Sequence, residues 1–190
     1  MQLGDIKYID VNSDGKINDD DKQIIGKPTP DLFGGITALF KYKSIQLTAL
    51  FTYAMGNDAF NYLKYSTESM SSYASQSKNV LKRWTSGNAG ATLPRASLGD
   101  PTGNNAFSDR WIEDASYIRF KQLTVNYSIP GNKYYKGITI FATATNLITF
   151  TKYAGYDPEF VYSNTPFGMG LDYGNIPQTM SFILGLKLGL

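Results

Sequence analysis

Thr179-Met180-Ser181-Phe182-Ile183-Leu184-Gly185-Leu186-Lys187-Leu188-Gly189-Leu190 closes the sequence, and its alternation decides the fold. Every even position is apolar: Met180, Phe182, Leu184, Leu186, Leu188 and Leu190. The odd positions carry Thr179, Ser181, Ile183, Gly185, Lys187 and Gly189. A period of two sustained over this stretch is a β-strand with one apolar face and one mixed face. Chain ends in water-soluble proteins are usually frayed and solvated, so an apolar strand at the last residue is unusual there.

The pattern recurs upstream. Over residues 33–43 the even face is Ile36, Ala38, Phe40 and Tyr42, against Gly35, Thr37, Lys41 and Lys43, with Leu39 as an exception. A tight Lys43-Ser44 turn predicts a hairpin with the next strand, 45–55, where Ile45, Leu47, Ala49, Phe51, Tyr53 and Met55 oppose Gln46, Thr48 and Thr52. Over 117–129 the face of Leu123, Val125, Tyr127 and Ile129 opposes Gln122, Thr124, Asn126 and Ser128. The parity switches at its start, where Ile118 and Phe120 are the apolar residues. After Pro130-Gly131-Asn132, residues 138–147 alternate Ile138, Ile140, Ala142 and Ala144 with Thr139, Thr143 and Thr145, and Phe141 breaks the rule.

Strand length separates two architectures. Strands of soluble sheets average about 5–6 residues, transmembrane strands need about 9–11, and these run roughly 10–13. Their polar faces are Thr, Ser, Gln and Asn with few charges, as in a barrel lumen, and Tyr at strand ends suits an interfacial girdle. Connections alternate short and long, as periplasmic turns and extracellular loops do. The expected organisation is an extracellular loop over 1–32, a hairpin over 33–55 and a long extracellular loop over 56–115. A hairpin over 116–147, an extracellular loop over 148–177 and a closing strand over 178–190 complete it. Five strands cannot close a barrel, and an open sheet edge is prohibitive in lipid. The all-β fold class expected is therefore the C-terminal five strands of a large transmembrane antiparallel β-barrel with a long, partly helical extracellular loop. The N-terminus has no signal-peptide pattern, which fits a fragment.

Composition is consistent with this and excludes much else. The 190 residues hold 18 Lys+Arg against 16 Asp+Glu, a formal net charge of +2, which gives no basic field for nucleic acid. The absence of Cys removes thiol nucleophiles, disulfide scaffolds and Cys-based zinc sites. The absence of His removes triad hydrolases and His-zinc enzymes. Mean hydropathy is −0.26, and no run approaches the ~20 apolar residues of a membrane-spanning helix. A barrel wall averages to such a soluble-looking composition because its two faces cancel.

Asp10-Val11-Asn12-Ser13-Asp14-Gly15 matches the calcium-loop pattern D-x-[DN]-x-[DN]-G. Asp10, Asn12 and Asp14 supply oxygens at loop positions 1, 3 and 5, Lys16 its carbonyl, Asn18 a water-mediated contact, and Asp21 the twelfth position. Asp21 is a shorter arm than the usual Glu. Ile6 to Ile9 look extended, so no flanking helix makes this a switching EF-hand. A structural Ca2+ that rigidifies a loop is expected; an Asx-rich turn without metal is the alternative.

Residues 58–84 have partly helical spacing, through Phe60, Leu63, Val80, Leu81 and Trp84, around a Ser-rich middle that forms helix poorly. One or two short helices are expected. Tyr62, Tyr65, Tyr73, Trp84 and Trp111 are candidates to stack on sugar rings or line a ligand cavity, or else to pack the loop's own core.

Several stretches carry a resemblance over essentially the whole chain: 4–17, Ile25-Gly26-Lys27-Pro28-Thr29-Pro30, Val80-Leu81-Lys82-Arg83-Trp84-Thr85, Leu93-Pro94-Arg95-Ala96, 115–127, 144–159, and Pro177-Gln178 before the last strand. Together they resemble the C-terminal end of the SusC/RagA family of TonB-linked outer-membrane importers. The ending departs, with Leu190 where members often finish on an aromatic. The resemblance implies a barrel of about 22 strands with a plugged lumen. It further implies import of oligosaccharides or peptides in the outer membrane, a SusD-like surface lipoprotein as lid, and energy through the TonB system. The remainder of the barrel, the plug and outer-membrane lipid would be its partners, and nucleic acid would not. A soluble, calcium-stabilised carbohydrate-binding β-sandwich is the alternative. No enzyme is expected: Asp157 and Glu159 could pair as in a glycosidase, but Pro158 between them argues for loop anchoring.

Overall fold

Alternating aliphatic, aromatic and threonine residues favour extended backbone, and these strands find each other through short turns. The computed structural model describes residues 2–134, 136–160 and 168–189. Its strands are β1 (Leu32–Tyr42), β2 (Ile45–Met55), β3 (Asp58–Asn61), β4 (Ile112–Asp114), β5 (Tyr117–Pro130), β6 (Gly137–Thr151), β7 (Leu171–Asp172) and β8 (Ser181–Gly189). One helix, α1 (Tyr62–Glu68), and 3-10 turns at Asp19–Asp21, Lys78–Lys82 and Asp109–Trp111 complete the elements. Met1, Leu190 at the end of the closing strand, and 161–167 of the expected 148–177 loop lie outside the described residues.

The chain divides into two compact units. One, within 29–57, 114–160 and 176–189, is a five-stranded antiparallel sheet in the order β1-β2-β5-β6-β8. Its register keeps the apolar side chains in continuous cross-strand rows. Ala38, Ala49, Leu123, Ala144 and Phe182 form one row, and Phe40, Leu47, Val125, Ala142 and Leu184 the next. The row between them, Leu39, Thr48, Thr124, Thr143 and Ile183, faces the other way. A slip of one residue in any strand would turn its apolar set onto the polar face, so the alternation pins the register.

The parity switch in β5 has a structural cause. Leu50 pairs with Gln122 and Phe51 with Phe120, which leaves Lys121 as the extra residue of a β-bulge. The bulge brings Ile118 and Phe120 onto the face of Leu123 and Val125, and Phe51 and Phe120 stack with ring centroids 4.6 Å apart. β6 absorbs the same irregularity at Asn146, whose φ is 52°. Beyond it the strand continues to Thr151 rather than stopping at 147, because Ile148 and Phe150 pair with Phe120 and Ile118. Phe141, the exception in β6, lies over Gly185 of β8: a Cβ there would stand 2.2 Å from the ring. Aromatic cover of a cross-strand glycine is a recognised way to hold register.

The sheet's apolar face is uncovered. Phe182 and Leu184 are 73% and 82% exposed, and Ile36 and Phe40 are similarly open. A β-sandwich would bury this face under a second sheet, so that alternative does not describe the molecule. No helix among the described residues is long and apolar enough to cross a membrane.

The second unit, within 2–28, 58–113 and 168–175, is mostly loop. A small sheet, β4-β3-β7, was not expected from the sequence; its β3–β7 pairing is parallel, through Phe60 with Leu171 and Asn61 with Asp172. The helical reading of 58–84 narrows to α1, capped by Asn61 Oδ1 accepting the Lys64 N–H, and the 3-10 turn at Lys78–Lys82. The Ser-rich middle, 66–77, is not helical beyond Glu68, as the competition of serine hydroxyls for backbone groups leads one to expect.

Candidate functional site

The two faces of the five-stranded sheet differ in chemistry. On the polar face, hydroxyls pair across strands: Thr124 with Thr143 (3.0 Å), Thr145 with Ser181 (2.6 Å) and Ser128 with Thr139 (3.5 Å). On the apolar face, Tyr42 and Tyr127 share the row of Ile45 near the short turns, and Tyr53 lies toward the opposite end. With about 3.3 Å per residue and a barrel tilt near 40°, the ten steps from Ile45 to Met55 stand about 25 Å tall. That is the height of the lipid-facing band of a transmembrane barrel.

One charged cluster interrupts the polar face. Arg119 of β5 pairs across the sheet with Thr52 and Thr149, and its side chain is only 3% exposed. Its Nε donates to Thr149 Oγ1 (2.9 Å), Nη1 to Glu159 Oε2 (2.9 Å) and Nη2 to Asp157 Oδ1. Asp157 also accepts the Glu159 N–H (2.9 Å) and the Gln178 N–H (2.9 Å). Lys121, aimed by the bulge, donates to Glu159 Oε2 (3.0 Å) and Gln178 Oε1 (2.7 Å). Burial works to raise the Asp157 carboxyl, but the Gln178 N–H, the Arg119 guanidinium and the Glu159 N–H outweigh it and hold it below the ordinary carboxylate range. The sequence reading assigned Asp157 and Glu159 an anchoring role without their partner Arg119; the available signal was the pair of cations, Arg119 and Lys121, near the start of an otherwise uncharged strand.

The acidic loop is organised by its own side chains. Asp10 accepts the Asp14 N–H (3.2 Å) and the Gly15 N–H (2.8 Å), Asn12 Oδ1 accepts the Asp14 N–H (3.0 Å), and Asp14 Oδ1 accepts the Lys16 N–H (2.8 Å). Asn18 and Asp21 form a reciprocal capping box over Asp19–Asp21. Asp21 also accepts the Val11 N–H (2.8 Å), and these amide bonds hold its carboxyl below the ordinary range. Gly15 takes φ 80°, the conformation the motif reserves for glycine. Each of these oxygens keeps a second lone pair, the donor type that an oxygen-seeking cation takes. Among the described residues, though, no three Asp, Glu, His or Cys side chains already converge on one metal position.

The aromatic candidates separate. Tyr62 and Tyr65 join one cluster with Phe60, Phe107, Trp111 and Tyr173: Tyr62 lies 4.6 Å from Tyr173, and Phe60 lies 5.3 Å from Phe107. Trp111 is its floor, wholly buried, with Nε1 donating to the Ala106 carbonyl (3.2 Å) and Arg110 over its ring. It therefore packs the unit's core and offers no face to a ligand. Tyr62, Phe107 and Tyr173 form the exposed rim; the last two were not singled out from sequence. Trp84 lies against Gly4, where a Cβ would stand 2.4 Å from its ring. Tyr73 is 91% exposed and belongs to no ring pair among the described residues.

A second polar knot holds this unit's N-terminal segment. Asp5 Oδ1 accepts from Arg95 Nε (2.7 Å), Asn104 Nδ2 (3.0 Å) and Thr102 Oγ1 (3.3 Å), and Asn104 Oδ1 accepts the Ile6 N–H (2.8 Å). Arg95, Asn104 and the Gln2 N–H hold the Asp5 carboxyl well below its ordinary value.

Comparison with known proteins matches this architecture. No family model matches the chain. It is 30% identical over 190 residues to TonB-dependent receptor P3 of Formosa agariphila, covering 95% of this chain and 18% of that protein. To TonB-dependent receptor SusC of Bacteroides thetaiotaomicron it is 30% identical over 188 residues, covering 95% of this chain and 17% of that one. In fold it is similar to the RagAB peptide importer in its closed-closed state, with a TM-score of 0.74 and 26% identity over 93% of this chain and 20% of the other. The open-open state gives a TM-score of 0.70 with 27% identity over 85% of this chain and 17% of the other. The chain thus spans less than a fifth of the length of P3 and of SusC. On sequence and fold alike, the chain is similar to part of the TonB-dependent receptors P3 and SusC and of the RagAB importer, and its sheet is a piece of an outer-membrane β-barrel.

Proposed function

We propose that the chain forms part of the wall of an outer-membrane nutrient importer that takes up oligosaccharides or peptides. The observation that carries this reading is the two-faced sheet, with an uncovered apolar face of bilayer height behind a hydroxyl-lined polar face. The likeness to a peptide importer supports peptides among the cargo. A SusD-like surface lipoprotein acts as its lid, and the TonB system supplies energy through parts of the receptor outside this chain. The role is not enzymatic. A carboxylate pair working on a glycosidic bond needs one protonated member, and Asp157 and Glu159 are both engaged by cations.

Calcium at Asp10, Asn12, Asp14, the Lys16 carbonyl, Asn18 and Asp21 stiffens the N-terminal loop; its contribution is structural. The rim of Tyr62 and Tyr173, flanked by the Lys64–Glu113 ion pair (2.8 Å), is the surface best suited to meet cargo, through ring stacking beside hydrogen-bonding groups.

Whole-cell uptake of labelled oligosaccharides and peptides tests the reading, in cells carrying the complete receptor with and without TonB. Expected is uptake of at least one class that needs both. A receptor present in the outer membrane whose presence changes no uptake contradicts it. Calorimetric titration of the purified receptor with Ca2+ tests the loop: heat of binding should vanish in Asp10→Ala, and an unaltered receptor that takes up no Ca2+ removes the ion from the account.

A further inference from the structure

The segment 152–160 leaves β6 at Thr151 and folds back over the polar face of the sheet, where Asp157 and Glu159 meet Arg119. It is compact in itself. Tyr153 is buried, lies over Gly155 and packs 5.9 Å from the Phe160 ring. Thr151 Oγ1 accepts the Tyr153 N–H (3.1 Å), and Pro158 fixes the backbone between the two acids.

Sheet pairing alone does not call for a charge at 119. Its cross-strand neighbours on that face are Thr52 and Thr149, and elsewhere on the face Thr124 pairs with Thr143 without burying ions. Arg119 and Asp157 are taken out of water here, with Lys121 and Glu159 half-buried beside them, and such buried pairs add little net stability over apolar replacements. What they do supply is a defined geometry. The cluster bonds β5 through Arg119 and Lys121, β6 through Thr149, the folded-back segment through Asp157 and Glu159, and the entry to β8 through Gln178. Breaking it leaves charges buried without partners.

We propose that the Arg119 cluster is a latch that holds 152–160 shut over the polar, lumen-facing side of the sheet. The segment is then a fixed part of the wall that narrows the passage near the loop ends of the strands. It is not a lid that opens for each cargo molecule. Arg119 is a positioning residue, acting through Asp157 and Glu159.

The complete receptor, reconstituted in lipid, provides the test. This chain has no cysteine, so in a receptor cleared of any cysteine elsewhere Tyr156→Cys, at an exposed site, gives a single attachment point for a nitroxide. With Arg119 in place the label should give the broad line of an ordered segment. Adding Arg119→Gln should sharpen it to that of a free loop, with chymotrypsin then cutting at Tyr153 in a barrel that still migrates as folded. An unchanged line in a folded Arg119→Gln barrel overturns the latch. Hydrogen exchange on the unaltered receptor decides independently of whether that variant inserts. The Glu159 and Gln178 amides, which donate to Asp157, should be protected like strand amides; exchange at free-loop rates overturns the proposal. Neither readout depends on uptake, so failure of the latch and failure of the import reading are distinguishable.

Discussion

The sheet unit and the loop unit are held together in different ways. In the sheet, each strand carries the same two-residue alternation, and its partners are pinned by rows of equivalent side chains. In the loop unit order comes from single polar contacts between residues far apart in sequence, such as Asp5 with Arg95 and Ile6 with Asn104, and from one wholly buried tryptophan. Repetition makes the sheet tolerant of change at any one pair, provided charge and register are respected. The loop unit has no such repeating rows, so its order depends on a few local clusters, of which the one around Trp111 is the most deeply buried.

Substitutions sharpen that contrast. The largest effect is expected where the sheet breaks its own rule: Arg119→Met leaves Asp157 and Glu159 without their buried partner and should cost about 3–5 kcal/mol in urea unfolding of the receptor. In the loop unit Trp111→Ala empties its core and orphans the Ala106 carbonyl, with an expected loss of about 3–5 kcal/mol. Its signature is selective proteolysis within 58–113 while the barrel strands stay resistant. Leu184→Arg puts a charge on the apolar face and should cost about 2–4 kcal/mol near the bilayer midplane, whereas Thr143→Arg on the polar face should cost far less. Equal costs would erase the distinction between faces. Gly185→Ala forces the Phe141 ring aside, for about 1–3 kcal/mol, and Phe141→Ala should relieve most of that strain.

The smallest effect is an acid one. Asp5 has a depressed carboxyl, so it contributes stability above the ordinary Asp value near 3.9 and loses it as pH falls toward its own lower value. Protection of the loop unit against proteolysis should therefore fall below about pH 4. Arg95→Gln, which removes the first cause of the depression, should flatten that dependence.

How much of this was legible follows from the same contrast. β2 was readable to its end residues because every odd position is apolar, and the parity switch at Lys121 was visible as a change of phase. What the switch meant was not, since a bulge and a broken strand look alike until the partner strands are paired. The extension of β6 past Asn146 was hidden for the same reason. Tyr62 and Trp111 looked equivalent as candidates, yet one is rim and the other floor, a difference set by contacts with Phe60, Tyr65 and Arg110 that no spacing encodes. The turn at Asp10 was readable because its hydrogen bonding is local: Asp10, Asn12 and Asp14 each accept an amide within a few residues.

The central claim is that one face of the sheet meets lipid and the other meets the water-filled lumen. Single cysteines along β6 and β8 of the complete receptor in lipid test it, each carrying a fluorophore quenched by brominated acyl chains. The expected result is alternation, with strong quenching at 142, 144, 182, 184 and 186 and little at 139, 143 and 187, where a membrane-impermeant maleimide reacts instead. Uniform quenching along both strands, or maleimide access to 184 and 186, contradicts the account.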